Sequence, residues 1–169
     1  MVGHSPPTIA RPGLAKPAIM VRMSDIALLA PVPLMHLDSA ARDGLDPVAF
    51  GSEAWDVLNH LPPEGDHSIP VLIYASLADA IPFVTWRGEF AGWIDPARTP
   101  LAELARMRRA STRAEGNPEP LWGSYWLVRG LRQLPTAEWL AIAKLWKRDG
   151  SGRLATSFVP EGPILIKAP

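Results

Sequence analysis

The sequence predicts an α+β domain: a mixed, mostly antiparallel sheet that curls into a small β-barrel with peripheral helices. Three observations lead there. Short apolar runs rich in Val, Ile and aromatic residues recur along the chain, each ended by Gly or Pro. The helical patterns between them do not alternate regularly with the strands, which argues against a doubly wound parallel sheet. The order strand, helix, strand, hairpin, helix, strand, helix, strand suits a sheet that closes on itself with helices at its ends.

Residues 1–23 hold Pro6, Pro7, Pro12 and Pro17 with no sustained apolar period. Such a segment buries too little surface to offset its ordering entropy and is expected to be a flexible tail, with the domain spanning 24–169. Met20 and Met23 are alternative starts. Ile26 to Val32 is a continuous apolar run, the pattern of a strand covered on both faces. Leu34 to Arg42 reads as a short helix that Gly44 ends. Val48-Ala49-Phe50-Gly51 follows, and then a helix over 52–61: Ser52 is an N-cap residue, Trp55, Leu58 and Leu61 share one face, and Pro62-Pro63 stops it.

Residues 64–68 are a polar loop, and Val71 to Ala75 is a strand. Phe83-Val84-Thr85-Trp86 and Phe90-Ala91-Gly92-Trp93-Ile94 flank Arg87-Gly88-Glu89 and predict a hairpin. A helix over 100–109 is expected from Thr99 as cap, Pro100 in the first turn, and Leu101, Leu104 and Ala105 on one side. Residues 114–120 form a turn-rich loop leading to Leu121–Pro135, where Trp122, Tyr125 and Trp126 precede Leu127-Val128 in an aromatic strand. Trp139, Ile142, Ala143 and Trp146 fall at helical spacing over 136–147. Asp149 to Gly152 is a tight connection, and Phe158-Val159 and Ile164-Leu165-Ile166 close the chain around Pro160-Glu161-Gly162-Pro163.

The 169 residues suffice for one domain with its own core. With no cysteine, disulfides, thiolate catalysis and cysteine-ligated zinc are excluded, and a reducing cytoplasm is the expected location. No apolar run reaches the roughly 18 residues of a membrane span, and no membrane partner is expected. His4, His36, His60 and His67 show neither HxH nor HxxxH spacing, so no metal is expected. Gly123-Ser124 does not build a GxSxG elbow, and Gly150-Ser151-Gly152 lacks the pattern of a phosphate loop or a dinucleotide fold. Catalysis has no anchor here, and no cofactor is expected.

The net charge is zero, yet the chain through Thr85 carries 4 basic and 9 acidic side chains, while the remainder carries 13 basic and 8 acidic. An anionic partner for the second half is one reading of that asymmetry. Arg106, Arg108, Arg109 and Arg113 cluster in it, joined by Arg129, Arg132, Lys144, Lys147, Arg148 and Arg153. They are either solvated surface or phosphate contacts. The 7 Trp residues pose a similar choice. Trp86, Trp93, Trp122 and Trp126 either fill the barrel or wall a pocket that stacks a base.

Over Ser124-Tyr125-Trp126-Leu127-Val128-Arg129-Gly130-Leu131-Arg132-Gln133-Leu134-Pro135 the chain resembles the PUA-like superfamily, which includes the EVE, ASCH, YTH and PUA domains. The resemblance covers the second half of the chain. It implies a PUA-like pseudo-barrel that binds DNA or RNA without catalysis, its EVE and YTH branches holding a modified base in an aromatic pocket. Carried over, it makes Trp86, Trp122 and Trp126 candidate pocket walls and Ser124 a hydrogen-bonding edge. Arg106, Arg108, Arg109 and Arg129 become candidate phosphate contacts. The alternative from a different class is an accessory subunit that docks a protein partner through exposed Trp residues.

Overall fold

The computed structural model describes residues 25–53, 55–61, 69–76, 83–113, 122–155 and 160–169. The expectations for the tail, the loops at 64–68 and 114–120 and the strand residues Phe158-Val159 lie outside them. Seven strands form one sheet: β1 (Ile26–Pro33), β2 (Val48–Ser52), β3 (Pro70–Ser76), β4 (Phe83–Ile94), β5 (Ser124–Gln133), β6 (Leu140–Ala141) and β7 (Ile164–Lys167). Among the described residues four short helices accompany it: α1 (Leu34–Asp43), α2 (Trp55–Leu58), α3 (Leu101–Met107) and α4 (Ala110–Arg113). The strands run in the order β2-β5-β4-β3-β1-β7, with β6 against β4. Only β1 and β3 are parallel. The sheet is open along this path, β2 and β7 being its edges.

β1 is apolar on both faces because both faces are covered. Leu28, Ala30 and Val32 enter a first core with Val71, Ile73, Trp86, Phe90, Phe50, Trp126 and Val128. Ala27 and Leu29 enter a second core with Leu72, Tyr74, Val84, Leu134, Ile142, Leu145 and Ile166. Alternating side chains of one strand thus feed two cores on opposite sides of the sheet. The parallel β1–β3 step requires a long crossover, and α1, β2 and α2 occupy it. From it Leu37 and Ala40 of α1, with Leu58 and Leu61, cover the first core. Gly44 ends α1 in the left-handed region at φ 60°, as its position predicts.

Two predicted features are rebuilt. Arg87-Gly88-Glu89 is not a hairpin turn: β4 runs unbroken for 12 residues. Gly88 serves packing, because a Cβ there would stand 2.4 Å from Val128 Cγ1 and 2.9 Å from Arg129 O. Between Ile73 and Tyr74 the β3–β4 register skips Thr85. This bulge sends Val84 to the second core and Trp86 to the first, and it increases the local twist. The helix expected over 136–147 is instead two 3₁₀ turns, Thr136–Glu138 and Ile142–Lys144, separated by β6. Of its supposed apolar face only Ile142 is fully buried, while Trp139 and Trp146 are exposed.

The caps also differ. Ser52 closes β2, opposite Ser124, rather than opening a helix, and α2 starts at Trp55. Thr99 donates its hydroxyl to Asp95 O, and α3 has no side-chain cap. The neighbouring α4 is held by α1: the Ala110 and Ser111 amides donate to Asp43 Oδ2 and Ser39 Oγ, and His36 Nδ1 is hydrogen-bonded to Ser111 Oγ at 2.9 Å. No helix among the described residues is long and apolar enough to cross a membrane.

Candidate functional site

On the side of the sheet away from the first core, two patches are covered. At the β2–β5 end, Ala49 and Tyr125 pack under Leu104 of α3. At the β1–β3 end, the second core lies under Ile142, Leu145 and Leu154. Between them a strip that no described element covers lies on β4 and β5. It carries Arg87, Glu89, Arg129 and Arg132, all exposed, around a cleft of about 400 Å³ that Gly88 and Gly130 complete.

Strand register builds this cleft. Arg87 stands directly opposite Arg132, and Glu89 opposite Arg129. Along β4 the two positions are two residues apart, but along β5 they are three apart, so β5 holds one extra residue. In a regular strand, residues 129 and 132 would project from opposite faces. The extra residue puts both beside their β4 partners on one face. Gly130 makes that possible at φ 59°, with its N–H donated to Asp46 Oδ1 at 3.1 Å.

The electrostatics favour an anion. Directly opposed like charges destabilise a ladder, and the Arg87–Arg132 pair is one such case. The compensation is partial: Glu138 Oε2 lies 3.8 Å from Arg132 Nη2, with both side chains half-exposed, and among the described residues Glu89 is the only acidic one lining the cleft. Three arginines against one carboxylate leave the described lining with a charge of +2, which Glu138 beside Arg132 lowers to a local surplus of +1. Guanidinium groups recognise carboxylate and phosphate oxygens through paired N–H donors, so oxyanions are the ligand class that fits.

The residues singled out in the sequence scatter. Trp86 and Trp126 are 3% and 1% exposed and belong to the first core. Trp86 pairs with Gln133 and Trp126 with Trp93, seven positions apart on β4. At about 3.3 Å per residue that is roughly 23 Å along the strand, so the two indoles do not face each other as walls of one pocket. Among the described residues neither indole N–H has an acceptor. Ser124 is fully buried and donates its hydroxyl to Ser52 O at 2.9 Å, which occupies its donor inside the fold. Trp122 differs: it is 45% exposed, its indole lies against Gly51, and a Cβ on Gly51 would come within 2.1 Å of its Cδ1.

The arginines divide as sharply. Arg106 is exposed on α3, and Arg129 lines the cleft. Arg108 and Arg109 are each only 6% exposed. Helix α3 ends at Met107, Arg108 takes an extended backbone, and the chain turns inward over β2. There Arg109 Nη1 donates to Ala49 O at 2.6 Å and Arg108 Nη2 to Thr112 O at 3.5 Å. These two serve the fold instead of lying on an open phosphate-binding surface. The side chain of Arg113 lies outside the described residues. Arg87 stands between two aromatic runs whose spacing suggests a turn, which hides its place on a strand face. A signal was present, however: Arg87-Gly88 and Arg129-Gly130 repeat the same Arg-Gly pair on the two strands.

Among the described residues no three His, Asp or Glu side chains gather as a metal would require. No protein-family model, curated protein or solved structure matches the chain.

Proposed function

We propose that this protein is a non-catalytic nucleic-acid-binding module, with the uncovered strip of Arg87, Arg129 and Arg132 as its phosphate-contacting surface. The observation that carries the reading is the cross-strand Arg87–Arg132 pair, a like-charge arrangement that an oxyanion relieves. Trp122 supplies the aromatic element: one face of its ring rests on Gly51, and its exposed part is available to stack a base, modified or not.

The framework we infer for it is a PUA-like pseudo-barrel. In support, the segment that follows β5 runs from the interior of the sheet to one of its open edges. β6 pairs with β4, and a bridge from Lys147 to Ile166 meets the free edge of β7. The second reading, docking of a protein partner, draws on the exposure of Trp122, Trp139 and Trp146. Two of these have local roles. Trp139 donates Nε1–H to Leu134 O and packs against Phe83, and Arg153 lies over Trp146.

The test is fluorescence polarisation with labelled DNA and RNA oligonucleotides over a salt series. Salt-sensitive binding that Arg87→Ala and Arg132→Ala weaken supports the reading. An absence of binding to any oligonucleotide at low salt overturns it and leaves the docking alternative.

A further inference from the structure

Resting on the nucleic-acid reading, we propose that the arginine cleft takes two consecutive phosphates of one single strand running along β4 and β5. Arg87 and Arg132 share the first phosphate, and Arg129 holds the second.

Register again carries the inference. Residues directly opposite in an antiparallel ladder have Cα atoms about 5 Å apart, so the guanidinium groups of Arg87 and Arg132 can converge on a single anion. One phosphodiester offers two unesterified oxygens, enough for one donor fork from each side. The Glu89–Arg129 pair lies two β4 residues further on. That is roughly 6.6 Å of strand at about 3.3 Å per residue, matching one backbone step of an extended polynucleotide. Charge agrees in sign: the described lining carries +2, Glu138 beside Arg132 lowers the local surplus to +1, and phosphodiesters are anionic.

Shape selects the single strand. The strip is bounded by α3 on one side and by the turns around Ile142 on the other. It is one cleft of about 400 Å³ on a sheet face. No helix or ribbon among the described residues projects from it to enter a groove about 12 Å wide. A duplex would reach the rims without seating both phosphates, whereas a single strand can lie along the floor past Gly88 and Gly130.

The experiment compares single-stranded DNA and RNA oligonucleotides with a duplex of the same sequence, using the full chain and fluorescence polarisation. Single strands are expected to bind at least about tenfold tighter at 50 mM salt. Arg87→Ala and Arg132→Ala should each weaken single-strand binding about tenfold. Because they serve one phosphate, the double variant should be little weaker than either single one. The slope of log affinity against log salt should fall by about 0.7 with the Arg87/Arg132 pair removed, and by about 0.7 more when Arg129→Ala is added. Circular dichroism confirms that each variant folds. Equal or tighter duplex binding, or losses at Arg87 and Arg132 that multiply independently, would overturn this proposal while leaving nucleic-acid binding intact. Full binding by the triple variant would overturn it by placing the phosphates elsewhere. Failure of every oligonucleotide to bind the parent protein would bring down both readings.

Discussion

The guanidinium of Arg109 lies over the ring of Phe50, its Cζ 4.7 Å from the ring centre. Phe50 in turn packs against Trp126, ring centres 4.9 Å apart. Arginine, phenylalanine and tryptophan thus form three successive layers, anchored by the bond from Arg109 to Ala49 O. The arginines of this chain therefore have two distinct environments, one inside the fold and one lining an open cleft. Residue type alone does not distinguish them.

Replacing Arg109 removes the cation–π contact and a charged hydrogen bond in one step. Arg109→Ala is expected to lower stability by about 2–4 kcal/mol. Urea unfolding followed by circular dichroism measures this. At temperatures where the variant is folded, its oligonucleotide affinity should equal that of the parent protein, since Arg109 lies outside the cleft.

The two glycines with crowded Cβ positions should respond differently to alanine. At Gly88 the obstacle includes the backbone oxygen of Arg129 and a buried Val128 methyl. Neither can move without opening β4 from β5, so Gly88→Ala should cost about 1–3 kcal/mol and weaken oligonucleotide binding by displacing Arg129. At Gly51 the obstacle is the half-exposed Trp122 ring. That ring can swing away, so Gly51→Ala should cost less than about 1 kcal/mol. Thermal unfolding of the two variants side by side shows the contrast.

Much of the framework was legible in the residues. β1 and β3 follow from apolar runs too short for a helix, and α1 from a periodic stretch ended by Gly44. The failures share a cause: each read a local pattern whose meaning depends on distant partners. Gly88 between aromatic runs looks like a turn until Val128 and Arg129 are placed against it. Trp139, Ile142 and Trp146 recur at intervals of three and four, which fits a helix, but β6 pairs with β4 and breaks the segment there. Burial of Arg109 depends on where α3 ends relative to β2, and no sequence spacing encodes that. The cleft was hidden for a similar reason. Its three arginines come from two strands, and Arg129 and Arg132 share a face only through the extra residue in β5.

Trp126 and Trp122 separate core from surface. Trp126→Ala should cost about 3–5 kcal/mol. Trp126→Phe keeps an aromatic ring against Phe50 and removes an indole N–H that has no acceptor. It should therefore cost under about 2 kcal/mol. Trp122→Ala should leave stability nearly unchanged and weaken oligonucleotide binding, with a loss on the order of 1–3 kcal/mol if one base stacks there. Polarisation titrations with each folded variant measure these affinities.

Alkaline pH tests the second core. Tyr74 is buried and donates its hydroxyl to Pro160 O, and desolvation pushes its pKa from 10.0 up to about 12. The folded state holds the proton through a range in which the unfolded chain releases it. The stabilisation is therefore complete below pH 10 and is lost as pH rises from 10 toward 12. Urea midpoints should fall across that window. In Tyr74→Phe, which has no proton to lose, the fall should be shallower.

Glu138 provides a test opposite in sign to the arginine variants. Its carboxylate lies 3.8 Å from Arg132 Nη2, with both side chains half-exposed. Such a pair adds little to stability, so Glu138→Gln should change it by no more than about 0.5 kcal/mol. The substitution nevertheless frees the Arg132 guanidinium and removes a negative charge beside the cleft. Affinity for a single-stranded oligonucleotide should rise about two- to threefold at low salt, and the gain should shrink at 0.5 M salt as screening shortens the range of the charge. Polarisation titrations at both ionic strengths measure this. If affinity is unchanged at low salt, Arg132 does not contact the nucleic acid; a rise would show the cleft competing with Glu138 for the same guanidinium.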